Sequence, residues 1–271
     1  MRTNTVKQTL AGGGTALGTM AFAFDSPALG PVAANAGAEF VIFDMEHSSW
    51  GIDTIRMLLA SSRAADLIPI VRPPATQYHL LAGPLDAGAM GLMVPMVESE
   101  EQTRLVVQSA KYPPLGKRGA AFGLAHDDYV GGDIVEKMAR ANNETLLIAQ
   151  IETAAGVEEA DRIAAVDGID VLWIGHNDLS ISLGIPGQFD HPDFLGAVGR
   201  VLASCDRHGK AAGIMAANPA TAIAAHRDGF RAIAYSGDLW IYGTALQQGL
   251  DGIRSALEGV REAVSDTDVT A

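Results

Sequence analysis

The sequence predicts a single-domain α/β protein, a (β/α)8 barrel, and three observations carry that expectation. One pattern, helical periodicity followed by a glycine or small turn and then a short apolar run, recurs in "NAGAEFVIFDMEH", "DAGAMGLMVPMV", "VDGIDVLWIGHND", "RHGKAAGIMAAN" and "RDGFRAIAYSGD". A glycine just past a helix and directly before a buried strand is the αβ junction of a parallel sheet. Adding "TALGTMAFA", "LIPIVRP" and "TLLIAQIET" gives eight candidate strands, near 15–23, 39–44, 68–72, 91–95, 146–151, 170–175, 211–215 and 231–235. Finally, 271 residues suit one barrel of roughly 250, whereas doubly wound sheets usually run to about five or six strands.

Taken in order, the start "MRTNTVKQTLAGGG" lacks the apolar segment of a secretory leader. The "GGGTALG" at 12–18 resembles a phosphate loop, yet it precedes a strand and lacks the Lys-Ser/Thr ending, so it reads as a flexible lead-in. "IDTIRMLLASSRAA", "SEEQTRLVVQSAK" and "DFLGAVGRVLASCDRHG" are amphipathic and helical. The least regular piece, 112–144, is rich in Pro and Gly and is expected to form a loop over one barrel face. After the eighth strand, 237–262 reads as a terminal helix with Leu239, Tyr242, Leu246, Leu250, Ile253 and Leu257 close to one stripe. No linker divides the chain, so one domain is expected over 1–271, with its core at about 15–260.

Charge narrows the partners. Lys plus Arg is 19 against 32 for Asp plus Glu, a net −13 spread along the chain, which argues against nucleic acid. No run reaches the ~18 apolar residues that span a bilayer. The single Cys205 can form no intramolecular disulfide, so a cytoplasmic setting is expected.

In a barrel the site forms at the carboxyl ends of the strands. Asp44, Glu46 and His47 follow the second strand, Arg72 the third, Gln150 and Glu152 close the fifth, and His176, Asn177 and Asp178 follow the sixth. Each alone has an ordinary explanation: Asp178 could cap a helix, Arg72 could be a surface arginine, and Glu152 could sit at a helix start. Convergence from four strands favours function. Glu152 and Asp178 offer hard oxygen ligands to a divalent ion and leave its other positions to water or to a 2-oxo acid. His47 is then a candidate base, and Arg72 a cation for a developing enolate. His79, His126, His191, His208 and His226 show no metal-ligand spacing. Of the lysines, Lys7, Lys111, Lys117, Lys137 and Lys210, none follows a strand into this site, which disfavours a Schiff base.

The stretches "FDMEHSSW", "VRPP", "LDAGAMGLMVPMVESEEQ", "YPPLGKRG", "AQIETAAGVEEADRIAAVDGIDVLWIGHNDLSISLG" and "GKAAGIMA" resemble the metal-dependent pyruvate aldolases typified by 4-hydroxy-2-oxoheptanedioate aldolase, within the citrate lyase beta-chain-like superfamily. The resemblance spans roughly 15 to 260 in matching order. It implies a TIM barrel that exchanges C-terminal helices in a homotrimer or homohexamer, and a Mg2+, Mn2+ or Co2+ ion on Glu152 and Asp178. His47 would be the acid/base and Arg72 would bind the pyruvyl oxygen. Asp44 and Asp86 would support the histidine, the arginine or a bound water, and Gly175 to Asp178 would present amides to the substrate carboxylate. The reaction implied is reversible cleavage of a 4-hydroxy-2-oxo acid to pyruvate and an aldehyde. The rivals are a lyase acting on an acyl-CoA, for which no basic cluster is evident, and a non-catalytic metabolite-binding barrel. Where the typical aldolase has Pro-Ala before the metal aspartate, this chain has His176 and Asn177, which bears on substrate preference.

Overall fold

In the computed structural model, which describes residues 2–268, the apolar runs are the strands of a closed parallel barrel. They are β1 (Ala16–Ala21), β2 (Phe40–Asp44), β3 (Ile68–Arg72), β4 (Gly91–Val94), β5 (Leu146–Ile151), β6 (Val171–Ile174), β7 (Ala211–Ala216) and β8 (Ala232–Gly237), with β8 pairing β1. Side-chain alternation then decides what faces inward. Phe40 and Ile42 of β2, Ile68 and Ile70 of β3, Leu146 and Ile148 of β5, and Val171 and Trp173 of β6 fill the barrel interior. Their neighbours Val41, Phe43, Val71, Leu147, Ala149, Leu172 and Ile174 pack outward against the helices. The same parity carried forward puts Asp44, Arg72 and Gln150 on the inner face, at the end where the apolar filling stops. Trp173 fits inside because its neighbour in the next strand is Gly213, where a Cβ would meet the indole ring.

Ahead of the 12–18 lead-in the chain forms a short helix. Asn4 caps a helix over Thr5–Ala11, accepting from Lys7 N at 3.0 Å, and Val6 and Leu10 of that helix join the interior cluster and stopper the amino-terminal end of the barrel. Seven residues are too few for a periodicity signal. The 112–144 segment likewise holds a helix, Ile134–Glu144, and because it joins helix Glu100–Ala110 to the start of β5 it lies at the amino-terminal end, opposite the strand ends. The terminal helix runs Asp238–Asp268, and Leu246, Leu250, Ile253 and Leu257 stand exposed on it. Among the described residues no helix is long and apolar enough to cross a membrane.

The stoppered end contains a buried amine. Lys7 Nζ and Lys111 Nζ each donate to the Thr145 carbonyl at 2.8 Å, and Lys111 also donates to Asn142 O at 2.6 Å. Burial, reinforced by the neighbouring charge of Lys7 and opposed by Asp170, pushes Lys111 down to about 7. In the unfolded chain it returns to the ordinary value of 10.5, so between about 7 and 10.5 the folded state binds fewer protons, and this group's contribution to stability rises with pH across that window. Denaturant unfolding of wild type and Lys111→Met at both ends of the window should therefore show the difference moving in favour of wild type as pH rises. A difference independent of pH would contradict this protonation state.

Candidate active site

The carboxyl ends of the strands surround a cavity of about 120 Å3 lined by His47, Arg72, Gln150, Gly175, His176, Asn177 and Asp178, together with Met20, Phe22, Met93, Trp173, Ile174, Met215 and Trp240. The register sets its first pair, since Asp44 and Arg72 are cross-strand partners on β2 and β3. Arg72 Nε and Nη2 donate to Asp44 Oδ1 and Oδ2 at 2.7 and 2.8 Å, a planar two-pronged bond with both side chains buried. Asp44 also accepts the backbone N–H of Glu46 and of His47, each at 3.0 Å. It therefore orients the arginine and shapes the turn that presents His47; its bonds go to the histidine's backbone. Burial alone would lower Arg72, but the hydrogen bonds and charge of Asp44, with Glu46 and Glu152, hold the guanidinium above its ordinary value.

Glu46 faces inward. Its Oε2 lies 3.2 Å from Arg72 Nη1 and 3.8 Å from His47 Nε2. Burial raises its pKa, Arg72 opposes this, and Asp44 and Asp178 add to it. His47 stands at the rim with its side chain 58% exposed.

Glu152 lies just past β5, almost fully buried. Its Oε1 accepts Met96 N at 2.7 Å, and its Oε2 accepts from Gln150 Nε2. Met96 donates from a left-handed backbone conformation, φ 53°, an unusual state for a side chain of that size and one that recurs where function fixes the backbone. Burial raises Glu152; the Met96 and Gln150 bonds oppose the rise, while Glu46 and Asp178 reinforce it. Gly175 is required here by close approach: a Cβ would fall on the Glu152 carboxylate and within 2.7 Å of Glu152 Cβ.

The helix His176–Ser182 begins at the cavity with no side-chain cap, leaving its first-turn N–H groups without intrahelical acceptors. The expectation for Gly175 needs correcting on one point, because its own N–H is engaged by Ile151 O at 3.1 Å, so the amides on offer are those of 176–178. Burial pushes His176 down, partly opposed by Asp178, and the ring is held edge-on against Phe189 at 5.2 Å.

Asp86 is not brought here within the chain. It ends the helix Tyr78–Asp86, and a helix that feeds β4 finishes at the opposite end of the barrel, where Asp86 Oδ1 accepts from Arg118 Nη2 at 2.5 Å. Conversely, three contributors were missed. Asp238, just past β8, accepts the N–H groups of Phe22, Ala23 and Phe24 at 3.0, 3.0 and 2.8 Å, and Phe22 meets Trp240 edge-on at 5.1 Å to form a wall. The strand-end rule, applied to "YSGDLW", would have found Asp238.

As a metal site, the set is partial and open. Among the described residues no group of three or more His, Cys, Asp and Glu is placed to hold an ion. Glu152 and Asp178 nonetheless fit one: Glu152 is buried and raised by that burial and by the charges of Glu46 and Asp178, Asp178 lines the open cavity, and the buried Gln150 Oε1 lacks a hydrogen-bond partner. Other nucleophiles are poorly placed. Lys111, with its lowered pKa, is at the far end of the barrel, and burial pushes the Cys205 thiol up to about 12.

A (β/α)8 barrel with carboxylates, an arginine and a rim histidine at its strand ends is the frame of a carbon–carbon lyase. Residues 20–242 match the family model HpcH/HpaI aldolase/citrate lyase, and the chain belongs to that family. It is 39% identical to a hydroxypyruvate/pyruvate aldolase of Roseovarius nubinhibens over 83% of this chain and 87% of that one. It is 34% identical to a 2-keto-3-deoxy-L-rhamnonate aldolase of Klebsiella pneumoniae over 93% and 94%. Among solved structures, an HpcH/HpaI aldolase from Desulfitobacterium hafniense superposes with a TM-score of 0.87 at 33% identity, covering 92% of this chain and 96% of that one.

The Gly175–Glu152 contact gives a direct test. Gly175→Ala should displace the carboxylate and lower turnover by about 10^2-fold, with far-ultraviolet circular dichroism unchanged. Wild-type turnover in that variant would show that the close approach is not used.

Proposed function

We propose that the protein is a divalent-metal-dependent aldolase that reversibly cleaves a 4-hydroxy-2-oxo acid into pyruvate and an aldehyde. The observation that carries this reading is the inward convergence of Glu46, Glu152 and Asp178 beside a single arginine, itself locked by Asp44. Glu152 and Asp178 would hold Mg2+, Mn2+ or Co2+, which supplies Lewis acidity toward the 2-oxo carboxylate when bound. The amides of 176–178 receive the substrate carboxylate, and Arg72, fixed in direction by Asp44, faces the 2-oxo oxygen. His47, directly or through water, removes the C4 hydroxyl proton. As the C4 carbonyl forms, the C3–C4 electron pair passes to the pyruvyl half, and Arg72 opposes the negative charge of the enolate. Protonation at C3 releases pyruvate. Asp86 takes no part within this chain. Among the described residues Arg72 is the only arginine or lysine lining the cavity, which disfavours a CoA thioester.

His47→Ala should lower turnover by roughly 10^2 to 10^4-fold with the fold retained. Borohydride added with pyruvate should leave the protein mass unchanged. Normal turnover in the variant, or a stable adduct on any lysine, would overturn the reading.

We further propose a homotrimer or homohexamer held in part by the terminal helix, working in the cytoplasm. Leu246, Leu250, Ile253 and Leu257 are exposed apolar side chains that a neighbouring copy would cover. Light scattering should give a multimer for the full chain and a smaller species for Leu246→Glu combined with Leu250→Glu. A monomeric wild type would contradict this assembly.

A further inference from the structure

The geometry points to an aldehyde half with no charge at its distal end, aliphatic or hydroxylated, and to exclusion of a second carboxylate; this rests on the aldolase reading above. Once Arg72, Gln150 and Asp178 are assigned to the pyruvyl half, what remains of the lining is chiefly Met20, Phe22, Met93, Trp173, Met215 and Trp240. These side chains offer dispersion contacts, the methionines adapting to irregular shapes, and none of them can neutralise an anion.

Cation supply decides the matter. Among the described residues Arg72 is the only arginine or lysine in the lining, and its Nε and Nη2 are spent on Asp44 while Nη1 lies 3.2 Å from Glu46. Asp178 also lines this space, and Glu46 lies against the guanidinium of Arg72. A distal carboxylate lying against these apolar side chains would lose water and find no arginine or lysine to pair with, whereas a hydrocarbon or hydroxyl end would lose far less. His176 and Asn177, also in the lining, give a distal hydroxyl polar neighbours. The wall is held in place: Asp238 binds three successive N–H groups from Phe22 to Phe24, and Phe22 sits edge-on to Trp240 at 5.1 Å.

The test compares two acceptors of equal chain length, 4-hydroxybutanal and succinic semialdehyde, in Mn2+-supported addition to pyruvate by the full chain. The ratio of kcat/KM should favour the neutral aldehyde by at least about 10-fold. A ratio of one, or one favouring the semialdehyde, would overturn the inference. Exchange of the pyruvate methyl hydrogens with deuterated water, measured without aldehyde, reports the enolising step separately. Exchange together with semialdehyde preference leaves the aldolase reading standing and removes this inference; absence of both exchange and addition removes both. Trp240→Arg, at a position 47% exposed, should raise the efficiency with semialdehyde relative to the neutral aldehyde. An unchanged ratio would show that the distal end lies elsewhere and would also overturn the inference.

Discussion

Negative charge gathered at the end of an apolar barrel is the constraint on which the rest of this structure depends. Asp44 is neutralised by Arg72 through two short hydrogen bonds, but Glu46, Glu152 and Asp178 share what little positive charge is left. Of these only Glu152 is buried, and a cation beside it would offset the cost of keeping that carboxylate charged. The neighbouring structure is arranged around that charge. Met96 adopts a left-handed backbone and donates to Glu152, Gly175 has no side chain to intrude on it, and Gln150 directs its amide nitrogen at it. These features have little value as packing; they are intelligible as support for a carboxylate kept in one place.

The two ends of the barrel illustrate how position, more than residue type, assigns chemistry. At the amino-terminal end, Lys7 and Lys111 share the Thr145 carbonyl and help fasten the stopper helix Thr5–Ala11. Lys111 has the lowered pKa that amine catalysis would need, yet the depth of the barrel separates it from His47 and Arg72. Asp86 and Arg118 also pair away from the cavity. The parallel fold imposes this sorting, because a residue following a strand and one following a helix emerge at opposite faces.

How much of this could be read from the chain follows from the range of each interaction. Strand positions were legible because alternation and glycine junctions are local, and the inward facing of Asp44, Arg72 and Gln150 follows from parity with Phe40, Ile68 and Leu146. The inward turn of Glu46 was not legible, since it depends on Asp44 accepting two backbone N–H groups and drawing the chain round after the strand ends. The wall of Phe22 and Trp240 joins residues from opposite ends of the sequence through Asp238, a contact that no local pattern announces. Gly175 was expected to lend its amide, but the sheet ladder takes that N–H, and its contribution is the missing Cβ.

The central claim is that these carboxylates are held for a divalent cation, and it can be tested apart from turnover. Titrating Mn2+ into the full chain, with the free aquo ion followed by electron paramagnetic resonance, should reveal one tight site per chain in wild type. The same titration should find that site lost in Glu152→Gln and in Asp178→Asn. Absence of a tight site in wild type, or Mn2+ binding in both variants equal to wild type, would contradict the account.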